Sequence, residues 1–204
     1  MITIVDYGLG NVRAFLNVYH RLHLEARTAS TADGLTGASK VILPGVGAFD
    51  HAMRLLSDSG MRDRLEELAL GARVPVLGVC VGMQMLARAS DEGVLPGLGW
   101  IDGRVRNFRT AISPGDLPLP HMGWNDVRPV EGCRLFEQLG SDARFYFLHS
   151  YYMDCERGQD VAAVSTYGIE FCCAVNAGNI YGVQFHPEKS HHDGTRLLKN
   201  FAEL

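Results

Sequence analysis

The chain has 204 residues, 47% hydrophobic and 21% charged, which is the make-up of an ordinary folded protein with one well-buried core. A net charge of −4 and the lack of any Lys/Arg cluster argue against nucleic acid or an anionic membrane as the main partner, and leave a small molecule or a protein. No apolar run approaches the roughly 18 residues that a membrane helix needs. The five cysteines, odd in number and two of them adjacent, fit reduced thiols in the cytoplasm better than a disulfide framework or a zinc site.

The first run, "ITIVDY", reads as a strand rather than a secretory signal. Residues 11–22 follow with Val12, Phe15, Leu16 and Tyr19 at helical spacing. "VILPG" predicts a second strand, leading to a helix with Phe49, Met53 and Leu56 on one face. A helical stretch over 61–70 runs into the strand "VPVLGV", and "GMQMLARA" predicts another helix. Strands of continuous apolar character alternating with helices indicate a parallel sheet covered on both faces. The second half changes character. "FYFLHSYYM", "VAAVSTY", "IEFCCAV" and "IYGVQF" predict antiparallel strands or hairpins, and a helix over 195–202 closes the chain. The proline-rich residues 109–120, "RTAISPGDLPLP", read as a loop or flap. With no repeat and no linker, residues 1–204 form a single α/β domain.

Gly78-Val79-Cys80-Val81-Gly82 has the form of a strand-to-helix elbow. Such a turn holds its central residue in a strained backbone conformation, and the flanking glycines let strand and helix pass closely. The helix start beyond Cys80 would favour a thiolate, and the Val81 N–H would donate to an oxyanion. A buried structural thiol is the competing reading of the pentapeptide, so the elbow needs partners. His186, in "YGVQFHPEKS", follows an apolar strand at a position where α/β folds present catalytic groups, and Glu188 can fix its tautomer across a proline-stiffened turn. The other histidines weighed, His20, His23, His51, His191 and His192, read as surface or helix-flanking residues. In "LPGVGAF", Gly45, Val46 and Gly47 offer a second inward N–H, or a peptide able to flip.

"PGVGAF", "GVCVGMQ" and "FHPEKS", in that order, resemble the class I (triad) glutamine amidotransferases. "DYGLGN" and "PHMGWN" narrow the resemblance to the glutaminase subunits of imidazole glycerol phosphate synthases. The resemblance implies a flavodoxin-like α/β fold, a mostly parallel central sheet with added antiparallel strands. It implies hydrolysis of L-glutamine through a cysteinyl thioester, with Cys80 as nucleophile, His186 as general base and acid, and Glu188 as the orienting carboxylate. Ammonia would pass to a cyclase partner, a (β/α)8 barrel in a 1:1 heterodimer, which makes imidazole glycerol phosphate and an aminoimidazole carboxamide ribotide in histidine biosynthesis. No metal and no cofactor is implied.

By the same resemblance, Gly45, Val46, Gly47, Val81, Gln84, Glu92, His149, Ser150 and Tyr151 hold the substrate, and Asn11, His121, Trp124, Asn125 and Lys189 lie towards the partner. Gln84 lies one helical turn past Cys80, on the same face. The chain departs from the family pattern at Val81, where leucine is usual, and in the thiols of Cys172 and Cys173. A paralogous role remains open, in which ammonia feeds a sugar-modifying partner in surface-polysaccharide synthesis. A DJ-1-like cysteine hydrolase would share the elbow but would not need His-Pro-Glu after a late strand.

Overall fold

The computed structural model describes residues 1–112, 117–140 and 142–204. The first half builds the parallel part of the sheet from β1 (Ile2–Val5), β2 (Ala26–Ala29), β3 (Lys40–Gly45) and β4 (Val76–Cys80). Between them run α1 (Val12–Arg21), α2 (Phe49–Asp58) and α3 (Arg62–Glu66), the last continuing into a wider turn over Glu67–Gly71. Beyond β4 come α4 (Val81–Gln84), β5 (Ala89–Ser90), β6 (Gly103–Asn107), β7 (His121–Asp126), β8 (Arg128–Pro129), β9 (Arg144–His149), β10 (Tyr151–Cys155), β11 (Val161–Tyr167), β12 (Ile169–Ala177), β13 (Ile180–Val183) and α5 (His191–Glu203).

The main sheet runs β2-β1-β3-β4-β13-β12-β10-β6-β5, with β11 paired to β12 and β8, while β7 and β9 form a separate antiparallel pair. From β2 to β13 every pairing is parallel, and from β13 through β12 and β10 to β6 every pairing is antiparallel. The class expected from the sequence, a mostly parallel α/β sheet with antiparallel additions, is the one observed. Three neighbouring strands, β3, β4 and β13, therefore deliver their C-terminal ends to one place, where open α/β sheets form ligand sites.

The helices cover the sheet with the stripes that their spacing dictates. α1 buries Phe15, Val18 and Tyr19, and α2 buries Phe49, Ala52, Met53 and Leu56. Each large side chain removed from water contributes about 1.5–3 kcal/mol. Asn11 caps α1, its side-chain oxygen accepting the Ala14 N–H at 3.3 Å. α2 begins at Ala48, which has no capping side chain, and the Phe49 N–H is taken instead by Glu92 Oε2 at 2.8 Å.

Several elements differ from expectation, each for a local reason. The helix predicted over "GMQMLARA" stops after Gln84, because the carbonyls of Met85, Leu86, Ala87 and Arg88 accept N–H groups from Leu98, Ile101, Gly99 and Gly97 instead of continuing the helical ladder. "FYFLHSYYM" is two strands broken at Ser150, whose carbonyl accepts the Phe108 N–H at 3.1 Å. The last helix starts at His191, earlier than Thr195, so His191 and His192 lie in its first turn. In the stretch 109–120, Arg109 and Thr110 end a short 3-10 turn, and residues 113–116 lie outside the described residues.

Candidate active site

Cys80 is the last residue of β4 and the cap of α4, with φ +56° and ψ −115°. A side chain at that φ is strained, and the fold tolerates it because the glycines on either side let backbone pack against backbone. Cys80 faces Gly45 across the β3–β4 ladder. A Cβ on Gly82 would stand 1.9 Å from the Leu43 carbonyl oxygen, and one on Gly45 2.4 Å from the Gly82 nitrogen. The flanking glycines are thus required by close approach.

β13 brings the second group. Its chain runs on through Gln184 and Phe185 to His186, whose ring is 4% exposed and whose Nδ1 lies 2.9 Å from Glu188 Oε1. The other carboxylate oxygen, Glu188 Oε2, is buried without a hydrogen-bond partner among the described residues, so the charge is spent on the imidazole. Burial alone would lower the basicity of His186. The adjoining Cys80 and the Glu188 carboxylate outweigh it and push the ring up to about 9. The stability contributed by this protonated ring is present in full below its unfolded value near 6.5 and is lost as pH rises through about 9. The thermal midpoint is expected to fall over that window, and Glu188→Gln, which keeps an acceptor but removes the charge, to flatten the fall. A wild-type midpoint independent of pH over the same window would exclude the ion pair.

A cavity of about 310 Å³ opens over Cys80 and His186. Val46, Gly47, Val81, Gln84 and Glu92 line one side, and Leu148, His149, Ser150, Tyr151, Pro120 and Lys189 the other. Of the residues expected to hold substrate, only Gly45 is not in this wall. It sits within β3, and its place is explained by the close packing on Gly82. Gly47 has φ +83°, which only glycine adopts freely, so the Val46–Gly47 peptide is set in an orientation that a side chain would resist. Glu92 is at once cavity wall and cap of α2, and neighbouring Asp50 accepts the Val94 and Leu95 N–H groups, which ties this loop to the helix start.

Two buried residues complete the site without having been singled out in the sequence. Gln184 donates from Nε2 towards Cys80 Sγ at 3.7 Å, and its Oε1 accepts from Gln84 Nε2 at 3.0 Å. Its signal was a lone amide inside the apolar run "YGVQF". Tyr7 is buried, and its hydroxyl donates to the Pro44 carbonyl at 2.8 Å, at the root of the 45–47 segment. Tyr7 stands in the "DYGLGN" motif, whose role in shaping this segment is invisible without the fold.

The residues expected towards a partner do not share one environment. Trp124 is 41% exposed and stacks on His191 with ring centroids 5.1 Å apart. Lys189 reaches the cavity wall, its Nζ 5.8 Å from the Tyr146 ring centroid. Asn11 is exposed and Asn125 half-buried. His121 is the most enclosed of the five. It is 4% exposed, packed against Tyr167 at 4.0 Å and Phe147 at 4.9 Å, because its position in β7 points inward to the aromatic layer.

A thiol on a strained elbow, a histidine oriented by a carboxylate, and backbone peptides beside an amino-acid-sized cavity form the arrangement that cysteine-dependent acyl transfer requires. The model of the glutamine amidotransferase class-I family matches residues 5–204, and the chain belongs to that family. It is accordingly an enzyme. Among full-length relatives, the imidazole glycerol phosphate synthase subunit HisH of Bdellovibrio bacteriovorus is 61% identical, with 100% of both chains covered. The subunit of the same name from Leptospira interrogans is 52% identical, again over 100% of both. Solved structures share the fold. A glutamine amidotransferase crystal structure superposes with a TM-score of 0.73 at 21% identity, covering 99% of this chain and 97% of that one. The structure of PurLQS from Thermotoga maritima gives 0.75 at 17%, with 99% and 97% covered.

Proposed function

We propose that this chain is the glutaminase subunit of an imidazole glycerol phosphate synthase, hydrolysing L-glutamine and passing ammonia to a (β/α)8-barrel cyclase in a 1:1 heterodimer. The observation that carries the reading is that Cys80 and His186 meet at one cavity past the ends of adjacent strands, with Glu188 held on the far nitrogen of the imidazole at 2.9 Å. Full-length identity to subunits of that name supports the choice of pathway.

The chemistry follows from the groups present. His186 holds the proton that Cys80 gives up, and the sulfur attacks the side-chain amide carbon of glutamine as the thiolate of that pair. The oxyanion that forms accepts from the Val81 N–H and from a peptide of the 45–47 segment. His186 returns its proton to the amide nitrogen, the C–N bond breaks, and ammonia leaves a cysteinyl thioester. Water then attacks the thioester with His186 as base, releasing glutamate and restoring the thiol. Glu188 holds the imidazole in the tautomer that faces sulfur, and its charge supports the ring while it is protonated. Gln84 and Glu92 bind the substrate's polar groups, Glu92 being the carboxylate suited to its α-ammonium. Ser150 and Tyr151 contribute backbone groups. Trp124, Asn125, Asn11 and Lys189 form the face towards the cyclase, and His121 belongs to the layer beneath it. The cytoplasm, where free thiols persist, is the compartment this chemistry fits.

Glutamate release from glutamine tests the reading, measured for the chain alone, with the host's cyclase-type barrel, and with the barrel plus its phosphoribosyl ligand. Strong stimulation only in the complete mixture is expected, since partner docking would then set the 45–47 peptide for oxyanion binding. No stimulation, with the chain folded and Cys80 open to alkylation, would refute the histidine-pathway partner and favour a sugar-modifying one.

A further inference from the structure

His121 and His149 lie outside the triad, yet their buried rings are joined in a chain. His149 Nδ1 is 2.7 Å from the Tyr151 carbonyl oxygen, His149 Nε2 is 2.9 Å from His121 Nδ1, and His121 Nε2 is 3.3 Å from Asn125 Nδ2. Chemistry fixes the hydrogens along it. A carbonyl only accepts, so His149 Nδ1 carries the proton. With His149 neutral, its Nε2 accepts, and His121 must donate from Nδ1. His121 Nε2 then accepts from the Asn125 amide, whose other N–H goes to the Thr166 carbonyl at 2.9 Å and whose Oδ1 takes the Asp126 N–H at 2.8 Å. Each polar atom has a partner, and with both rings neutral no other pair of tautomers satisfies both ends.

Aromatic packing holds the rings in line. His121 lies between Tyr167 and Phe147, and Phe108 meets His149 edge-on at 5.4 Å. Burial pushes His121 down to about 4 and His149 to about 3, so both stay neutral near pH 7. The inner end of the chain is the cavity wall. There the Tyr151 carbonyl is held by His149 and the Ser150 carbonyl by the Phe108 N–H, so the break between β9 and β10 is pinned from two sides.

We propose that the Asn125–His121–His149 chain is a positioning device that fixes the turn at Ser150 and Tyr151, and through it the amino-acid end of bound glutamine. The inference rests on glutamine being the substrate. His121 does not line the cavity and acts only through His149, so its effect falls on substrate binding and not on the chemistry at sulfur.

The test is the glutaminase activity of the complete complex with glutamine varied. His121→Phe keeps the stacked ring and removes the donor. It is expected to raise KM about tenfold with kcat within about twofold of wild type. His121→Asn places an amide N–H where Nδ1 stood and is expected to restore KM to within about threefold. An unchanged KM in His121→Phe, an equal loss in kcat, or an asparagine no better than phenylalanine would overturn the proposal. Nitrogen NMR of the wild-type chain decides independently of whether the variants fold. Both rings are expected as Nδ1–H tautomers, unchanged between about pH 5.5 and 8, and an Nε2–H tautomer on either ring would refute the chain. If wild-type complex releases no glutamate from glutamine, the substrate reading fails, while the tautomers still report on the chain itself.

Discussion

Cys80→Ala is expected to lower glutamine-dependent turnover by at least about 10⁴-fold, the scale of losing a nucleophile that acts as a unit with its base. Amination driven by added ammonia is expected to continue in the same complex, because the ammonia-consuming reaction belongs to the partner. Loss of both activities would mean that the residue supports docking or folding and not attack on glutamine. The backbone sharpens the test. Cys80 stands at φ +56°, ψ −115°, a conformation that costs a side chain on the order of 1–3 kcal/mol and costs glycine little. Cys80→Gly is therefore expected to be as inactive as the alanine variant yet more stable than it by about 1 kcal/mol in denaturant titration. If the two are equally stable, the elbow stores no strain. The thiol is then held up by the strand and helix alone.

How far such a site is legible in a sequence depends on whether the signal is local. The elbow, the His-Pro-Glu turn and the paired glycines of 45–47 each occupy a few consecutive residues whose types are dictated by backbone geometry, so they are readable one at a time. The parallel strands β1, β3 and β4 are apolar on both faces and stand out for that reason. By contrast β2, β5 and β8 are two to four residues long and carry no alternation, and their pairing is set by what lies beside them. β7 has the alternating burial of a strand, but its glycine and its mixed polar and aromatic residues do not show that alternation in the sequence. The truncation of α4 is likewise non-local, since the competing donors come from residues 97–101. Gln184 and Tyr7 escaped because each acts across more than 30 residues, on Cys80 and on Pro44. The enclosure of His121 is non-local too, since Phe147 and Tyr167, which pack on it, lie more than 20 residues away along the chain.

Gly82→Ala is expected to be severely damaging for a single added methyl group. Its Cβ would fall 1.9 Å from the Leu43 carbonyl oxygen and 3.2 Å from the Pro44 carbonyl carbon. Both are backbone atoms of β3, which cannot rotate aside as a side chain would. Either β3 separates from β4, or α4 lifts off the sheet and takes Cys80 with it. A loss of more than about 4 kcal/mol follows, enough to leave much of a marginally stable chain unfolded. Gly47→Ala is the counterpart, because nothing lies within 4 Å of its Cβ and only its φ of +83° is at stake. That variant is expected to fold with a cost of about 1 kcal/mol and to lose glutaminase activity through a misdirected peptide. Thermal midpoints and glutamate release measured side by side separate the two roles. A stable Gly82→Ala would mean that strand and helix do not need their close approach, and a fully active Gly47→Ala would remove the 45–47 peptide from oxyanion stabilisation.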